Sequence, residues 1–149
     1  MTETPTASPA PLTIPVGQAV GMAERVLTKL LAGVLAETGT SRPTYLAMQR
    51  LTALGDGASR DAYRADLGYW LDLDLPAAGQ LIDGLVADGL VTVTQRTVRL
   101  TAAGKDLLAK IRTGAGEVTA KLYEPFDPAD LQATVTTLRE ITTRAQAML

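Results

Sequence analysis

The sequence feature that most constrains the fold is the stretch Asp72–Leu108, in which three elements follow one another with almost no connecting residues. In its first part, apolar residues recur at intervals of three and four, which places them on one stripe of an α-helix. This stripe consists of Leu75, Ala78, Leu81, Ile82, Leu85 and Val86. Asp74 is predicted to cap the N-terminus, Pro76 is tolerated in the first turn, and Gly89 stands where a left-handed C-terminal cap is expected. The sequence therefore predicts both ends of this helix.

Two short strands are predicted directly after it. Leu90–Thr94 and Thr97–Leu100 are rich in β-branched residues that alternate with period two, and Gln95 and Arg96 remain as the tip of a hairpin. Because neither tip residue is Gly, Asn or Asp, the sequence favours a slightly longer loop over a primed two-residue turn. Thr101 is predicted to cap a further helix with an apolar stripe of Leu107, Leu108 and Ile111. Helix, ribbon and helix in this order are typical of a winged helix.

Three helices are predicted before this stretch. Apolar periodicity begins at Val16 and lasts until Gly39, which corresponds to about 22 residues or roughly 33 Å of helix. Ser41 is predicted to cap a second helix and Ser59 to start a third. The fold class is therefore mainly α with a short β-ribbon.

The chain after Thr101 is predicted to form two more helices. The first continues to Tyr123, Pro125 stops it, and Asp127 with Pro128 begins the last one. This last helix has an apolar stripe of Leu131, Val135, Leu138, Ile141, Ala145 and Met148. A terminal amphipathic helix needs a partner surface, which the first helix of the same or of another subunit can provide.

Composition excludes most familiar active sites. The chain has 149 residues, which suits one domain, and it contains no cysteine and no histidine. Disulfides, thiolate nucleophiles, zinc sites and histidine-dependent triads are thereby excluded, and no glycine motif for phosphate binding is present. We expect no enzyme, cofactor or metal. No apolar run reaches the roughly 18 residues of a membrane span and no signal peptide is apparent, so we expect a cytoplasmic protein without membrane contact.

The N-terminal segment has a different composition from the rest. Residues 1–15 contain Pro5, Pro9, Pro11 and Pro15 among Thr, Ser and Ala, which disfavours a helix and leaves little apolar surface to bury. We predict a flexible arm there and a single domain over residues 16–149.

The assembled order of elements resembles the MarR family of dimeric winged-helix transcription regulators. The most specific segments are LIDGLVADGLV at Leu81–Val91, VRLTAAGKDLL at Val98–Leu108 and FDPADLQATVTTLREI at Phe126–Ile141. They are similar to the end of the family's recognition helix, to the strand and start of its fifth helix, and to its C-terminal dimerisation helix. The resemblance covers about residues 16–149.

This resemblance implies a homodimer in which residues 16–38 and 102–149 form the dimerisation region and residues 41–101 form a winged helix-turn-helix lobe. It would place Leu75–Asp88 in the major groove of a double-stranded operator and Gln95–Thr97 near the minor groove. It also implies a small-molecule pocket between the two regions, and hence a repressor relieved by a ligand.

The predicted DNA contacts are few and only partly cationic. They are Arg60, Arg64, Pro76, Ala77, Gly79, Gln80, Arg96 and Arg99. In the recognition helix Gln80 alone can make a bidentate base contact, Ala77 can pack against a thymine methyl, and Gly79 is expected to be exposed and to allow close approach. Residues 41–101 contain six arginines against seven aspartates, and Asp83 would be repelled by phosphate. The alternative for each arginine is a solvated side chain paired with a nearby aspartate.

Apolar and aromatic residues near the junction of the two regions are the candidate ligand site. They are Met22, Tyr45, Met48, Tyr63 and Trp70, to which the cationic side chain of Arg50 is added. The tyrosine hydroxyls and Arg50 could orient a small aromatic acid, whereas the alternative for the methionines and the aromatic residues is plain core packing. The second function class keeps the fold without the DNA affinity: a winged-helix module with a degenerate DNA-binding surface that binds a protein partner or a small molecule.

Overall fold

The computed structural model describes residues 15–149, and the predicted arm lies outside this range apart from Pro15. Over the described residues the chain forms six helices and three strands. They are α1 (Val16–Thr38), α2 (Arg42–Leu54), β1 (Ala58–Ser59), α3 (Arg60–Leu71), α4 (Leu75–Ala87), β2 (Val91–Thr94), β3 (Thr97–Leu100), α5 (Ala102–Tyr123) and α6 (Pro128–Ala147). The mainly helical fold with a short β-ribbon that the sequence predicts is confirmed.

Each of the five helix starts for which the sequence predicts a capping residue has a side-chain cap. Ser41, Ser59, Asp74, Thr101 and Asp127 all accept a hydrogen bond from a backbone N–H in the first turn of the helix that follows. The bonds are 2.8 to 3.2 Å long. These oxygens satisfy N–H groups that have no partner within the helix, so the boundaries follow from local chemistry.

The end of α4 turns the chain directly into β2. Gly89 has a φ of +71°, its N–H donates to the Val86 carbonyl over 3.0 Å, and the Leu90 N–H donates to the Leu85 carbonyl over 2.9 Å. These two bonds form a Schellman cap, in which the left-handed residue is usually glycine. The predicted left-handed cap at Gly89 is confirmed.

The wing is part of a three-stranded antiparallel sheet with the order β1, β3, β2. β2 and β3 pair over their whole length, from Val91 opposite Leu100 to Thr94 opposite Thr97. Ala58 in β1 lies opposite Val98 in the central strand. The sequence did not predict β1, because two residues are too few to show a period-two pattern.

The prediction of a longer loop at the wing tip is wrong. Gln95 and Arg96 have φ values of +49° and +68°, so the chain reverses in two left-handed residues that are not glycine. This conformation costs about 1–2 kcal/mol per residue. Neighbouring structure holds it: Val91 and Val98 are buried and fix the register, and the Arg60 N–H donates to the Arg96 carbonyl over 2.7 Å.

The hydrophobic core lies between α2, α3, α4, α5 and the sheet. Its largest fully buried side chains are Tyr63, Met48, Leu67, Ile82, Leu85, Ile111, Val91 and Val98. The Tyr63 hydroxyl donates to the Ala47 carbonyl over 2.6 Å, and burial, with the nearby Asp66 carboxylate, raises the pKa of Tyr63 above its ordinary value. The buried Tyr63 hydroxyl is therefore neutral and hydrogen-bonded within the core.

The helices at the two ends of the chain contribute little to this core. α1 supplies Val34 and Leu35, whereas no residue of α6 is buried. Large apolar side chains are exposed on α1 at Val20, Val26 and Leu27 and on α6 at Val135, Leu138 and Ile141. No helix within residues 15–149 is both long enough and apolar enough to cross a membrane.

The start of α5 lies in close contact with the end of the α4–β2 turn. The Thr101 hydroxyl donates to the Gly89 carbonyl over 2.6 Å, and the Thr101 N–H donates to the Leu90 carbonyl over 3.0 Å. Gly104 is buried one turn later, where an added Cβ would overlap the Leu90 carbonyl oxygen. Only glycine allows this approach of α5 to the backbone.

Substitution Gly104→Ala should therefore destabilise the fold. The added methyl group must push α5 away from Leu90, and overpacking of this kind costs about 1–3 kcal/mol of unfolding free energy. The matched control is Gly84→Ala in α4, where an added Cβ meets nothing within 4 Å and which should gain about 0.5–1 kcal/mol. Urea denaturation of both variants measures the difference, and equal midpoints would contradict the assignment.

Candidate nucleic-acid interface

The exposed face of α4 is smaller than the sequence indicated. Pro76, Gln80 and Asp83 are exposed and Ala77 is half-buried, but Gly79 is buried. The expectation that Gly79 is exposed is wrong, because α3 packs at this point: an added Cβ would lie 3.7 Å from the Arg64 Cδ. Gln80 is thus an exposed side chain of α4 that can make a bidentate base contact, and this role stays a prediction.

The two arginines of α3 are paired with aspartates. The Arg60 guanidinium donates to the Asp83 carboxylate of α4 over 2.9 Å, and that of Arg64 contacts Asp61 at 3.4 Å. The Arg64 Nε is buried and has no hydrogen-bond partner within residues 15–149. Because Asp61 and Asp83 are largely exposed, these ion pairs are worth at most about 1 kcal/mol and a phosphate can compete for the guanidinium groups.

The wing places two further arginines near the start of α3. Arg96 is exposed at the tip, and its carbonyl is the acceptor for the Arg60 N–H. Arg99 is exposed on β3, with its guanidinium beside Gly57. Over the part of the chain that is described, neither side chain has a carboxylate within salt-bridge distance. The wing tip and the start of α3 thus form one cationic edge next to α4.

The residues predicted to bind a ligand lie in different environments. Met48 and Tyr63 are fully buried in the core, and Tyr45 is nearly so, with its hydroxyl accepting a 2.6 Å hydrogen bond from Gln49. Met22, by contrast, is 64% exposed on α1.

Arg50 and Trp70 form a separate group on the surface. The Arg50 guanidinium makes two 2.8 Å hydrogen bonds to Asp66, and its carbon lies 4.7 Å from the centroid of the Trp70 ring. The hydrogen bond to Asp66 is the main reason that the pKa of Arg50 is raised. The positive charge of Arg50 is therefore already paired, and its role toward a ligand stays a prediction.

A cavity that the sequence did not predict lies between the end of α2, β3 and the first turns of α5. Its volume is about 380 Å³. It is lined by Leu51, Thr52, Gly55, Asp56, Val98, Arg99, Leu100, Lys105, Leu108, Ala109 and Arg112. The signal that could have indicated it is the spacing of the four α5 residues, because positions 105, 108, 109 and 112 share one helix face. Of the predicted site residues it contains Arg99 alone, which was predicted to contact DNA.

A second, larger depression lies between α1 and α6. Its volume is about 710 Å³. It is lined mainly by apolar residues: Pro15, Val16, Ala19, Val20, Ala23, Glu24, Leu27, Thr28, Leu31, Arg42, Thr134 and Leu138. We call it the α1–α6 groove. It contains the exposed apolar stripe of α1 and Leu138 of α6.

Several solved structures share this architecture. Staphylococcus aureus MarR in complex with salicylate and kanamycin superposes with a TM-score of 0.79 at 14% identity, over 91% of this chain and 93% of that one. A MarR-family protein from Bacillus stearothermophilus gives 0.74 at 17% identity, over 89% and 94%. A MarR-family transcriptional regulator from Silicibacter pomeroyi gives 0.67 at 24% identity, over 86% and 90%.

Comparisons of the amino-acid sequence find no relative of this chain. No model of a protein family matches the chain, and no curated protein matches it. The likeness is therefore one of three-dimensional structure, and it extends over nearly all of the described residues. The chain has the MarR-type winged-helix fold.

Proposed function

We propose that this protein is a DNA-binding transcription regulator that acts as a homodimer, and specifically a repressor that a small-molecule ligand releases from its operator. The observation that supports DNA binding most directly is the hydrogen bond between the Arg60 N–H and the Arg96 carbonyl. It fixes the wing tip beside the start of α3, so that the wing, α3 and the exposed face of α4 form one surface. A helix for the major groove beside a wing for the minor groove matches the shape of duplex DNA.

The contacts that we assign to DNA differ in kind. Gln80 reads a base edge in the major groove, and Arg96 enters the minor groove or contacts its backbone. Arg60, Arg64 and Arg99 contact phosphates, with Arg60 and Arg64 leaving their aspartate partners when the duplex binds. Pro76, Ala77 and the backbone at Gly79 provide close packing. Because most of these contacts are electrostatic, affinity should fall steeply with salt.

The homodimer is supported by the unpaired surfaces at the two ends of the chain. α6 has no buried residue, and Leu27, Val20 and Leu138 of the α1–α6 groove are exposed. Adjacent exposed apolar side chains of this kind often mark an interaction surface, and the same two helices of a second copy offer an equally apolar surface. Dimerisation also doubles the number of DNA contacts made by a weakly cationic lobe.

One observation favours the second function, a module that binds a protein partner or a small molecule. Asp83 is on the exposed face of α4 and already neutralises Arg60. With no Lys or Arg on α4, the affinity for DNA rests on a few arginines of α3 and the wing. Direct measurement of DNA binding separates the two functions.

Substitution Arg96→Ala tests the DNA-binding proposal. The wild-type chain should bind a labelled duplex from the region flanking its own gene saturably, as measured by fluorescence anisotropy at several salt concentrations. The variant should bind about tenfold more weakly, with a salt slope reduced by about one per protomer. Lys121→Ala is the matched control, because this residue is 19 positions after the start of α5 and therefore about 29 Å along the helix. A folded dimer that binds no duplex at low salt would contradict the proposal and favour the partner-binding module.

Substitution Asp83→Asn tests the proposed role of the Arg60–Asp83 pair. It removes one negative charge from the face that approaches the phosphates and frees Arg60, so DNA affinity should rise by about two- to tenfold. Glu37→Gln, at an exposed position of α1, removes the same charge outside this face and should leave the affinity unchanged. Both are measured in the same anisotropy titration. An unchanged or lower affinity for Asp83→Asn would show that α4 does not approach DNA as proposed.

A further inference from the structure

We propose that the proline-rich residues 1–14 bind, in an extended polyproline conformation, to an exposed pair of aromatic side chains on the same chain. The pair consists of Tyr69 and Trp70 at the end of α3, and we call it the α3 aromatic pair. This contact goes beyond the proposed function and does not depend on it, because it involves no residue assigned to DNA.

The α3 aromatic pair is exposed but held in place. Tyr69 is 58% and Trp70 is 48% exposed, and their ring centroids lie 5.2 Å apart with the planes at 85°. The guanidinium carbon of Arg50 lies 4.7 Å from the centroid of the Trp70 ring, and two 2.8 Å hydrogen bonds to Asp66 fix that guanidinium. Rings that are already positioned lose little conformational freedom when a partner binds.

The composition of residues 1–14 matches such a surface. Polyproline segments dock on exposed aromatic side chains, where the indole N–H and the phenol O–H can donate to their backbone carbonyls. With three residues per turn, Pro5 and Pro11 share one edge of a polyproline helix, and Pro9 and Leu12 share another. Proline favours this extended conformation before binding, so the entropic cost of binding is small.

The segment is long enough to reach the pair. Pro15, the residue that follows it, lines the α1–α6 groove together with Leu138. From Leu138 to Gln146 helix α6 continues for eight residues, which is about 12 Å. The Gln146 side-chain amide donates to the Tyr69 hydroxyl over 3.0 Å. Fourteen residues in a polyproline conformation span about 43 Å, so residues 1–14 can follow α6 to the pair.

Two other occupants fit this surface less well. A small organic acid would be attracted by Arg50, but Asp66 already neutralises that charge at 2.8 Å. A second folded copy would need an interface of roughly 800 Å² per partner, which is several times what two aromatic side chains provide. A short peptide segment needs only a few such contacts.

The fluorescence of Trp70 tests the contact in the full chain. Trp70 is the only tryptophan of the sequence, so its quenching by acrylamide measures the accessibility of the α3 aromatic pair without a label. The test variant combines Pro5→Ser, Pro9→Ser and Pro11→Ser. The matched control combines Thr4→Ser, Ala7→Ser and Ala10→Ser. The quenching constant of the test variant should be at least about twice that of the wild type, because serine does not favour the extended conformation, whereas the control should match the wild type.

A synthetic peptide of residues 2–15 tests the same contact from the other side. Added to the test variant at about millimolar concentration, the effective concentration of a tethered segment, it should restore the quenching constant of the wild type. Tyr69→Ala in the test variant should weaken this response about fivefold, because one of the two rings is lost. Val93→Ala, at an exposed position of the wing, is the matched control and should not. Thermal melting verifies that each variant is folded.

Three results would overturn the proposal. The first is an equal quenching constant for the wild type and the test variant. The second is a peptide response that a folded Tyr69→Ala variant leaves unchanged. The third is a wild-type quenching constant that rises to that of the test variant on tenfold dilution, because this would assign the contact to a second copy. None of these measurements involves DNA, so their outcome is separate from that of the proposed function.

Discussion

The hydrogen bond from the Arg60 N–H to the Arg96 carbonyl joins two parts of the chain that are far apart in sequence, the first residue of α3 and the tip of the wing. This 2.7 Å hydrogen bond stabilises the turn at the wing tip, where Gln95 and Arg96 both have a left-handed backbone conformation. Together with the pairing of β1 to β3 and the burial of Val98, this contact fixes the position of the wing relative to α3 and α4. The surface proposed to bind DNA depends on it.

The charge of this surface, rather than its shape, limits the affinity for DNA that we propose for it. The fold provides a helix and a wing in the right arrangement, but Asp61 and Asp83 pair with the two arginines of α3. Each pair is exposed enough for a phosphate to compete, so the structure is compatible with DNA binding of modest affinity and strong salt dependence. Two copies of such a lobe in a dimer would make twice as many contacts with DNA as one copy. In the proposed homodimer, the exposed apolar stripes of α1 and α6 form the interface.

Local chemistry made most of the fold predictable. The caps at Ser41 and Asp74 and the glycine at position 89 act within a few residues of the helix ends that they define, and the apolar periodicities are equally local. The wing turn was predicted wrongly because its conformation is imposed by a contact with α3. Gly79 was expected to be exposed for a similar reason: whether a small residue of α4 faces solvent depends on where α3 packs.

The candidate site was less predictable than the fold. The arginines proposed to contact DNA could be named from their place in the elements, but the pairing of Arg60 with Asp83 depends on how α3 and α4 meet. The cavity requires three elements to converge, and in the sequence its cations look like ordinary surface residues. Five of the six residues predicted for a ligand were chosen for aromatic or apolar character, Arg50 being the exception, and most such residues pack into cores.

In the proposed homodimer, two copies of the chain present their α4 helices to successive major grooves on one side of a duplex. The absence of cysteine allows a single spin label to be attached per chain through Gln80→Cys, so that pulsed dipolar spectroscopy measures the distance between the two α4 helices. We expect one distribution centred near about 34 Å, the separation of half-sites one helical turn apart. No dipolar coupling, or a distribution centred beyond about 50 Å, would show that the two helices cannot enter neighbouring grooves together.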